Sequence, residues 1–366
     1  MTLTLKVLIL YGGQSGEHEV SLRSACSVLR HLDRSRFEPV LVGISLKGQW
    51  LLQDVGQVNA TTEVLSIIQN GQEVALSGHE LVELATGKVI ATIDVAFPVM
   101  HGPLCEDGAM QGLLEVLQVP YVGSGILASA LSMDKDFTKR LAKAANLPVL
   151  PYLCVRQHEW LHSQDAKIKE ALQWGLPVFV KPANMGSSVG VHKVKDALDL
   201  PHAIEDAFRY DQKVLIEKGI AAREIEMAVL EHVVPGEPAL VSLPGEIIPN
   251  HEFYSYEAKY LDPQGASLQL PASLDALLIA QCQEMALVAF RALDCAGFAR
   301  VDLFLDRDTQ ELYFNEINTI PGFTSISMYP KMMMHSGVPY AKLISRLLDL
   351  AIGRGQRLQA LQRQAF

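Results

Sequence analysis

The feature that most restricts the fold is an alternation, in the first third of the chain, between short apolar runs and helix-spaced segments. Residues 6–11 (KVLILY) form a compact apolar run that stops at Gly12-Gly13. Residues 20–32 then place apolar side chains at helical spacing, and residues 37–44 (FEPVLVGI) return to a strand pattern. Residues 93–99 (IDVAFPV) read as a third strand and 109–117 as a second helix. Strand and helix in rotation favour an α/β unit on a parallel, doubly wound sheet, with ligands beyond the carboxyl ends of its strands. Two polar, glycine-bearing segments, GGQSGEHE and HGPLCEDG, fall at such ends.

The chain has 366 residues. A single core usually stops growing at about 250–300 residues, so two or three domains are expected. A middle section opens near Ser124 with a helical stretch at 135–145, a proline-rich connection and a polar helix at 166–174. Two strands follow, 176–183 and 191–194, joined by NMGSSVG, which predicts a hairpin with a mobile tip. From about Lys218 the pattern becomes antiparallel, with strands at 224–231, 240–248, 298–305 and 311–317, a helix over 277–293, and hence an α+β character. The segment NHEFYSYEAKYLDPQGASLQL has no clear period, and loops of that length inside a domain are usually functional or disordered. A last amphipathic helix covers 340–352, with a basic tail read as peripheral. The boundaries drawn are 1–123, 124–217 and 218–366.

Composition narrows the function classes. The chain is 49% hydrophobic and 20% charged, with a formal net charge of -10, which argues against general nucleic-acid binding but not against a local anion pocket. Five scattered cysteines form no CxxC, which suits free thiols in a reducing compartment and offers no zinc site. The N-terminal apolar run is too short for a signal peptide, and no stretch is long enough to span a bilayer. A cytoplasmic protein is expected.

Three constellations carry possible chemistry. In ARVDLFLD, strand alternation puts Arg300 and Asp302 on one face, and in FNEIN it puts Glu316 and Asn318 on one side with Ile317 on the other. If the two strands form a hairpin, Asp302, Glu316 and Asn318 converge as three hard oxygen donors suited to Mg²⁺. The plainer alternative for either strand alone is the polar edge of a sheet. In VKPANMGSSVG, glycines let backbone approach a phosphate and Ser187 and Ser188 add donors, while Lys181 interrupts an apolar strand where an ammonium needs an anionic partner. Lys135, in SMDKDFTKR, reads most simply as a solvated helix lysine. In GGQSGEHEVSL, Glu17 and Glu19 would repel phosphate; a ligand ammonium and the helix dipole each account for them. His101 at a strand end has the default reading of a hydrogen-bonded structural histidine.

The ordered set GGQSGEHEVSL, HGPLCEDGAMQG, MDKDFTK, VKPANMGSSVGV, EAKY, FARVDLF and NEINTIPGFTSISMYP resembles the D-alanine–D-alanine ligases of the ATP-grasp superfamily, almost end to end. The resemblance implies a three-domain ATP-grasp fold, with ATP between the last two domains. It implies that one D-alanine carboxylate attacks the γ-phosphate of ATP, and that the amine of a second attacks the acylphosphate to give D-alanyl-D-alanine for peptidoglycan. Asp302, Glu316 and Asn318 would hold Mg²⁺ or Mn²⁺, as two ions. Lys135 and Lys181 would hold the α- and β-phosphates and Lys259 the γ-phosphate, with Ser188 in the glycine-rich loop. Glu217 and Glu224 match adenine- and ribose-side positions. Arg300 and the Gly322 amide match the oxyanion donors. Glu17 would take the first substrate's ammonium with His101 close by, and Ser327 the second substrate's carboxylate. Ser187 and Tyr260 match residues that bond the glutamate when the loop around EAKY closes.

The tyrosine favours an amine acceptor over the hydroxyl acceptor of D-alanine–D-lactate ligases; D-alanine–D-lactate or D-alanine–D-serine synthesis is the alternative. A homodimer is a further implication of the family. Cys105 departs from its pattern, standing where a glycine is usual. That predicts a different turn and, if the thiol is exposed, sensitivity to oxidation.

Overall fold

A computed structural model describes residues 4–59, 61–69, 71–249 and 265–362. The N-terminal sheet holds β1 (Leu5–Gly12), β2 (Phe37–Ile44) and β3 (Trp50–Gln53). A small antiparallel sheet of β4 (Val74–Ser77), β5 (Glu80–Glu83) and β6 (Val89–Thr92) precedes β7 (Val95–Val99), which rejoins the first sheet in the order β3-β2-β1-β7. β1 runs parallel to both β2 and β7, as the alternation predicts, and β3 adds an antiparallel edge.

Both faces of β1 are covered, so its apolar run is continuous rather than alternating. Val7, Ile9 and Tyr11 pack with Leu22, Ala25 and Leu29 of α1 (His18–His31), while Leu8 and Leu10 pack with Met110 and Leu114 of α2 (Ala109–Val116). All five β1 side chains are fully buried. Burial of each such side chain contributes about 1.5–3 kcal/mol.

Next come α3 (Ile126–Met133), α4 (Lys135–Ala144) and a second sheet. That sheet is antiparallel, in the order β10-β9-β11-β8, from β8 (Tyr152–Arg156), β9 (Val178–Pro182), β10 (His192–Val194) and β11 (Lys213–Lys218). β9 and β10 form the expected hairpin around NMGSSVG. Helices α5 (Gln157–Ala171) and α6 (Leu200–Ala207) cover one face through Trp160, Ala171, Leu200 and Ile204. The polar helix expected at 166–174 therefore starts nine residues earlier, at Gln157. Its start is fixed by Glu159, whose carboxylate accepts from the Arg156 backbone N–H, a cap hidden in the sequence by the polar QHEWLH run.

The third sheet has β12 (Ala222–Leu230) and β13 (Leu240–Val241) followed by β14 (Gly245–Pro249), β15 (Ala266–Gln269), β16 (Phe298–Asp306) and β17 (Leu312–Asn318). Its order is β15-β14-β12-β16-β17, with β13 also on β12. The single strand expected at 240–248 is thus two. Pro244 lacks an N–H, and Ser242 Oγ accepts from Ala228 N–H at 2.9 Å, so the ladder is interrupted between them. Helix α7 (Ala276–Ala292) packs on the apolar face of this sheet.

Two helices end the chain, α8 (Met328–His335) and α9 (Tyr340–Gln359). Leu343, Ile344 and Leu347 of α9 return to the core beneath β1. The helix continues past the 340–352 expectation to Gln359, and Arg354 and Gly355 at the start of the basic tail are packed against the N-terminal unit. The Arg354 guanidinium donates to the carbonyls of Gly123 and Tyr121, and a Cβ on Gly355 would stand 2.7 Å from Pro120, so glycine permits that close approach. Among the described residues no helix is long and apolar enough to cross a membrane.

Candidate active site

The register of three antiparallel strands builds the centre of the site. Glu226 on β12 lies opposite Asp302 on β16, and Asp302 lies opposite Glu316 on β17; Arg300 lies opposite Asn318. Directly opposed residues share a face. One face therefore carries Glu224, Glu226, Arg300, Asp302, Glu316 and Asn318. The other carries Ile225, Met227, Val301, Leu303 and Ile317, all in the core beneath α7. A register shift at Asp302/Leu303 leaves Asn315 over, which lets Phe314 and Ile317, three residues apart, both face the core. The hairpin expected from the sequence is present.

Arg300 is held in place. Its Nε and Nη2 each donate to an oxygen of Asp302 at 2.7 Å, and Nε lies 3.4 Å from Glu226 Oε1. Burial works against its charge, but Asp302 and Glu226 outweigh burial and raise its pKa well above the usual value. Asn318 Oδ1 accepts from the Ile320 N–H at 2.9 Å, which fixes the amide. Among the described residues no three His, Cys, Asp or Glu side chains gather as a metal cluster. The candidate set is two carboxylates and one amide, all hard oxygen donors, which fits a divalent cation of the magnesium kind whose shell is completed by phosphate and water.

Helix α4 places the lysines. Asp134 caps it, accepting from the N–H groups of Asp136 and Phe137, and Asp134 is ion-paired with Lys213 of β11. Lys135, the first helical residue, donates from Nζ to Met185 O at 2.5 Å and lies 3.7 Å from Glu316. One turn on, Lys139 donates to Glu217 Oε1 at 2.6 Å, and the other Glu217 oxygen takes Lys181. Burial alone would raise the Glu217 pKa; the charges of Lys139 and Lys181 outweigh it and bring it down to about 2. Burial also works against the Lys181 charge, and Glu217 beside it raises that pKa nonetheless. The anionic partner that Lys181 demanded is thus Glu217.

The substrate half joins the ends of β1, β7 and the β9–β10 hairpin. Ser187 Oγ donates to Glu17 Oε1 across the hairpin tip, where Ser187 and Ser188 both have positive φ (52° and 60°). Glycines crowd the same carboxylate: a Cβ on Gly102 or Gly186 would stand 3.1 or 3.2 Å from Glu17 Oε2. His101 is buried, with Nδ1 3.0 Å from Ile320 O and Nε2 3.1 Å from Ser24 Oγ. Ser24 Oγ in turn accepts from the Phe323 N–H, so His101 and Ser24 tie the N-terminal sheet to the Pro321-Gly322-Phe323 turn. Ser327, at the start of α8, lies beside Gly322, whose absent Cβ would meet Ser327 Oγ at 2.8 Å.

A cleft of about 1080 Å³ is lined by Glu17, His101, Lys135, Ser187, Arg300, Glu316, Asn318, Gly322 and Ser327. Nine of the expected site residues therefore share one cavity. Asp302 adjoins it through Arg300, while Lys181 and Glu217 sit beneath α4; Glu224 shares the Glu226 face of β12, and Ser188 flanks Ser187 at the hairpin tip. Lys259 and Tyr260 lie outside the described residues. Cys105 does not fit the exposed-thiol expectation, because it is fully buried among Met100, Met110 and Leu114, and burial raises its pKa well above that of an ordinary thiol. Its turn uses positive φ at Gly102 (79°) and Leu104 (68°).

Sequence reasoning missed Lys139, Glu106 and Glu226. Lys139 stands four residues after Lys135, the spacing of one helix face. Glu226 alternates with Glu224 on a strand. Glu106, beside Cys105, gave no periodic signal.

The model of the D-ala D-ala ligase N-terminus matches residues 6–124, and that of the C-terminus matches residues 141–349. The chain belongs to the D-alanine–D-alanine ligase family. D-alanine--D-alanine ligase A of Bradyrhizobium diazoefficiens is 55% identical, with 98% of each chain covered, and D-alanine--D-alanine ligase of Oceanobacillus iheyensis is 45% identical over the same shares. Among solved structures, the D-alanine-D-alanine ligase from Coxiella burnetii superposes with a TM-score of 0.83 at 34% identity, covering 97% of each chain. The VanG D-Ala:D-Ser ligase from Enterococcus faecalis gives 0.81 at 32% identity, covering 95% of this chain and 100% of that one. The fold is that of the ATP-grasp ligases, and it is shared by relatives with different acceptors.

Proposed function

We propose that this protein joins two D-alanines to D-alanyl-D-alanine at the expense of ATP, through an acylphosphate. The observation that carries the reading is one cleft in which a carboxylate with a hydroxyl donor, Glu17 with Ser187, faces a permanently charged Arg300 and the Gly322 backbone. Glu17 takes the ammonium of the first D-alanine, with His101 behind it. Arg300 and the Gly322 N–H stabilise charge developing on the carbonyl oxygen when the second amine attacks. Ser327 takes the second carboxylate. Lys135 and Lys181 neutralise phosphate charge, with Ser188, Glu224 and Glu217 completing the nucleotide side. Lys259 and Tyr260, in EAKY, are assigned to the γ-phosphate and to the Glu17–Ser187 pair.

Asp302, Glu316 and Asn318 are the residues that would hold Mg²⁺ or Mn²⁺, as two ions; the metal supplies charge neutralisation on the transferred phosphoryl group. Three functional units, 1–123, 124–217 and 218–366, then correspond to the first D-alanine site, the hairpin over ATP, and the metal-bearing sheet. A homodimer in the cytoplasm is the working form. Leu113 and Val116 on α2, with Ile126 and Leu127 on α3, are exposed apolar side chains of the kind an interface covers.

The test is ATP- and Mg²⁺-dependent phosphate release with D-alanine alone, with the dipeptide detected by mass spectrometry, then with D-lactate or D-serine added. Dipeptide from D-alanine alone supports the reading. Turnover confined to D-lactate or D-serine mixtures overturns the amine-acceptor assignment, and no turnover with any D-amino acid overturns the reaction.

A further inference from the structure

Lys139 has no place in the mechanism above, yet it is one of the largest fully buried side chains in the protein. Its side chain is 1% exposed, that of Glu217 is 2% and that of Lys181 is 12%. A buried ion pair is seldom retained for stability, because desolvation offsets its attraction and apolar replacements pack as well. Here two lysines share one carboxylate, and burial lowers the Lys139 pKa although Glu217 pulls it up. Lys181 is the member with access to solvent, and Lys139 is closed off from any ligand.

We infer that Lys139 is a positioning residue for the nucleotide half of the site, one that holds Glu217 in a single orientation so that Lys181 presents its ammonium to the phosphates. The geometry supports a fixed orientation. Lys139 takes Oε1 and Lys181 takes Oε2, so neither oxygen can turn away without breaking an ion pair. α4 is anchored independently by Asp134 with Lys213, and by the Lys135 N–H donating to Ala183 O at 3.1 Å. The same helix thus sets Lys135 and, through Glu217, Lys181. The inference rests on the ligase reading only for what the nucleotide does, not for whether it binds.

The test is a double-variant cycle of Lys139→Met, Glu217→Gln and the pair. It is read by calorimetric titration with a non-hydrolysable ATP analogue plus Mg²⁺, and separately by KM for ATP and for D-alanine. Lys139→Met is expected to weaken analogue binding and raise KM for ATP about tenfold, leave KM for D-alanine within about twofold, and add no more than about twofold in the Glu217→Gln background. Unchanged nucleotide affinity in Lys139→Met, or losses that multiply fully in the double variant, overturn the inference. If Lys139→Met fails to fold, Lys139→Gln takes its place under the same criteria. Absence of dipeptide synthesis in the unaltered protein overturns the ligase reading alone, because the titration still decides the role of Lys139.

Discussion

Replacing Glu106 by glutamine changes how the protein's stability depends on pH, and the size of the change follows from where Glu106 sits. Its carboxylate is buried in the turn after β7, 3.7 Å from His101 Nδ1, with Glu17 nearby. Burial raises its pKa from 4.5 to about 7 even though His101 pulls the other way. The His101 pKa is also raised: burial opposes protonation, and Glu106 outweighs burial. A group whose pKa is raised on folding contributes stability that is present below the unfolded value and lost as pH climbs through the folded value. Glu106 therefore costs the native protein stability as pH climbs from 4.5 through about 7, and His101 as pH climbs above 6.5. For Glu106 alone the span is worth about 3 kcal/mol at roughly 1.4 kcal/mol per pH unit. With an unfolding entropy of about 2 cal/mol/K per residue, that is about 4 °C in Tm for a single transition of a chain this long.

Glu106→Gln removes the titration and the raised His101 pKa together. The difference in Tm, variant minus native, is expected to climb by about 4 °C between pH 5 and pH 8, with the variant the more stable at pH 8. Thermal melts by circular dichroism at four pH values measure it. A difference that stays flat within about 1 °C, or that falls as pH rises, would refute the raised Glu106 pKa.

Arg300→Lys keeps the charge but loses the fork that bonds both oxygens of Asp302. Its kcat is expected to fall about 10²–10³-fold with little change in KM for ATP, by steady-state phosphate release, and a loss under about threefold removes Arg300 from the oxyanion role. Ser187→Ala removes the hydrogen bond to the Glu17 carboxylate, worth about 1.5–3 kcal/mol, so KM for the first D-alanine is expected to rise about tenfold or more, in a titration of D-alanine at saturating ATP. An unchanged KM there ends the Glu17–Ser187 assignment. Val116→Glu places a charge on the exposed α2 patch, and sedimentation is expected to show it monomeric at concentrations where the native chain is a dimer; equal association of both assigns the interface elsewhere.

The chemistry of the third sheet was legible because strand alternation is a local rule. Arg300 with Asp302, and Glu316 with Asn318, each share a face whatever else the chain does, and the apolar residues between them must go inward. Glu17 at the end of β1 and Ser187 at a hairpin tip were legible as glycine-flanked polar residues at strand ends. The full length of α9 is not legible locally, because Gly353 and Gly355 resemble helix-ending signals, whereas Gly355 admits Pro120.

Pairing partners belong to the tertiary structure. Lys139, Glu217 and Lys181 stand on α4, β11 and β9, and only the tertiary structure brings 139, 181 and 217 together. The raised Glu106 pKa comes from burial, and the raised His101 pKa from Glu106 beside it, neither of which a local pattern measures. The bulge at Asn315 is the clearest instance. Strict alternation from Leu312 would put Glu316 on the same side as Phe314, and the contradiction is resolved by one extra residue that turns both carboxylate and amide toward the cleft while Phe314 and Ile317 stay in the core. Sequence determined which residues are polar intrusions in apolar strands. Burial, and the register that burial enforces, decided which of them meet.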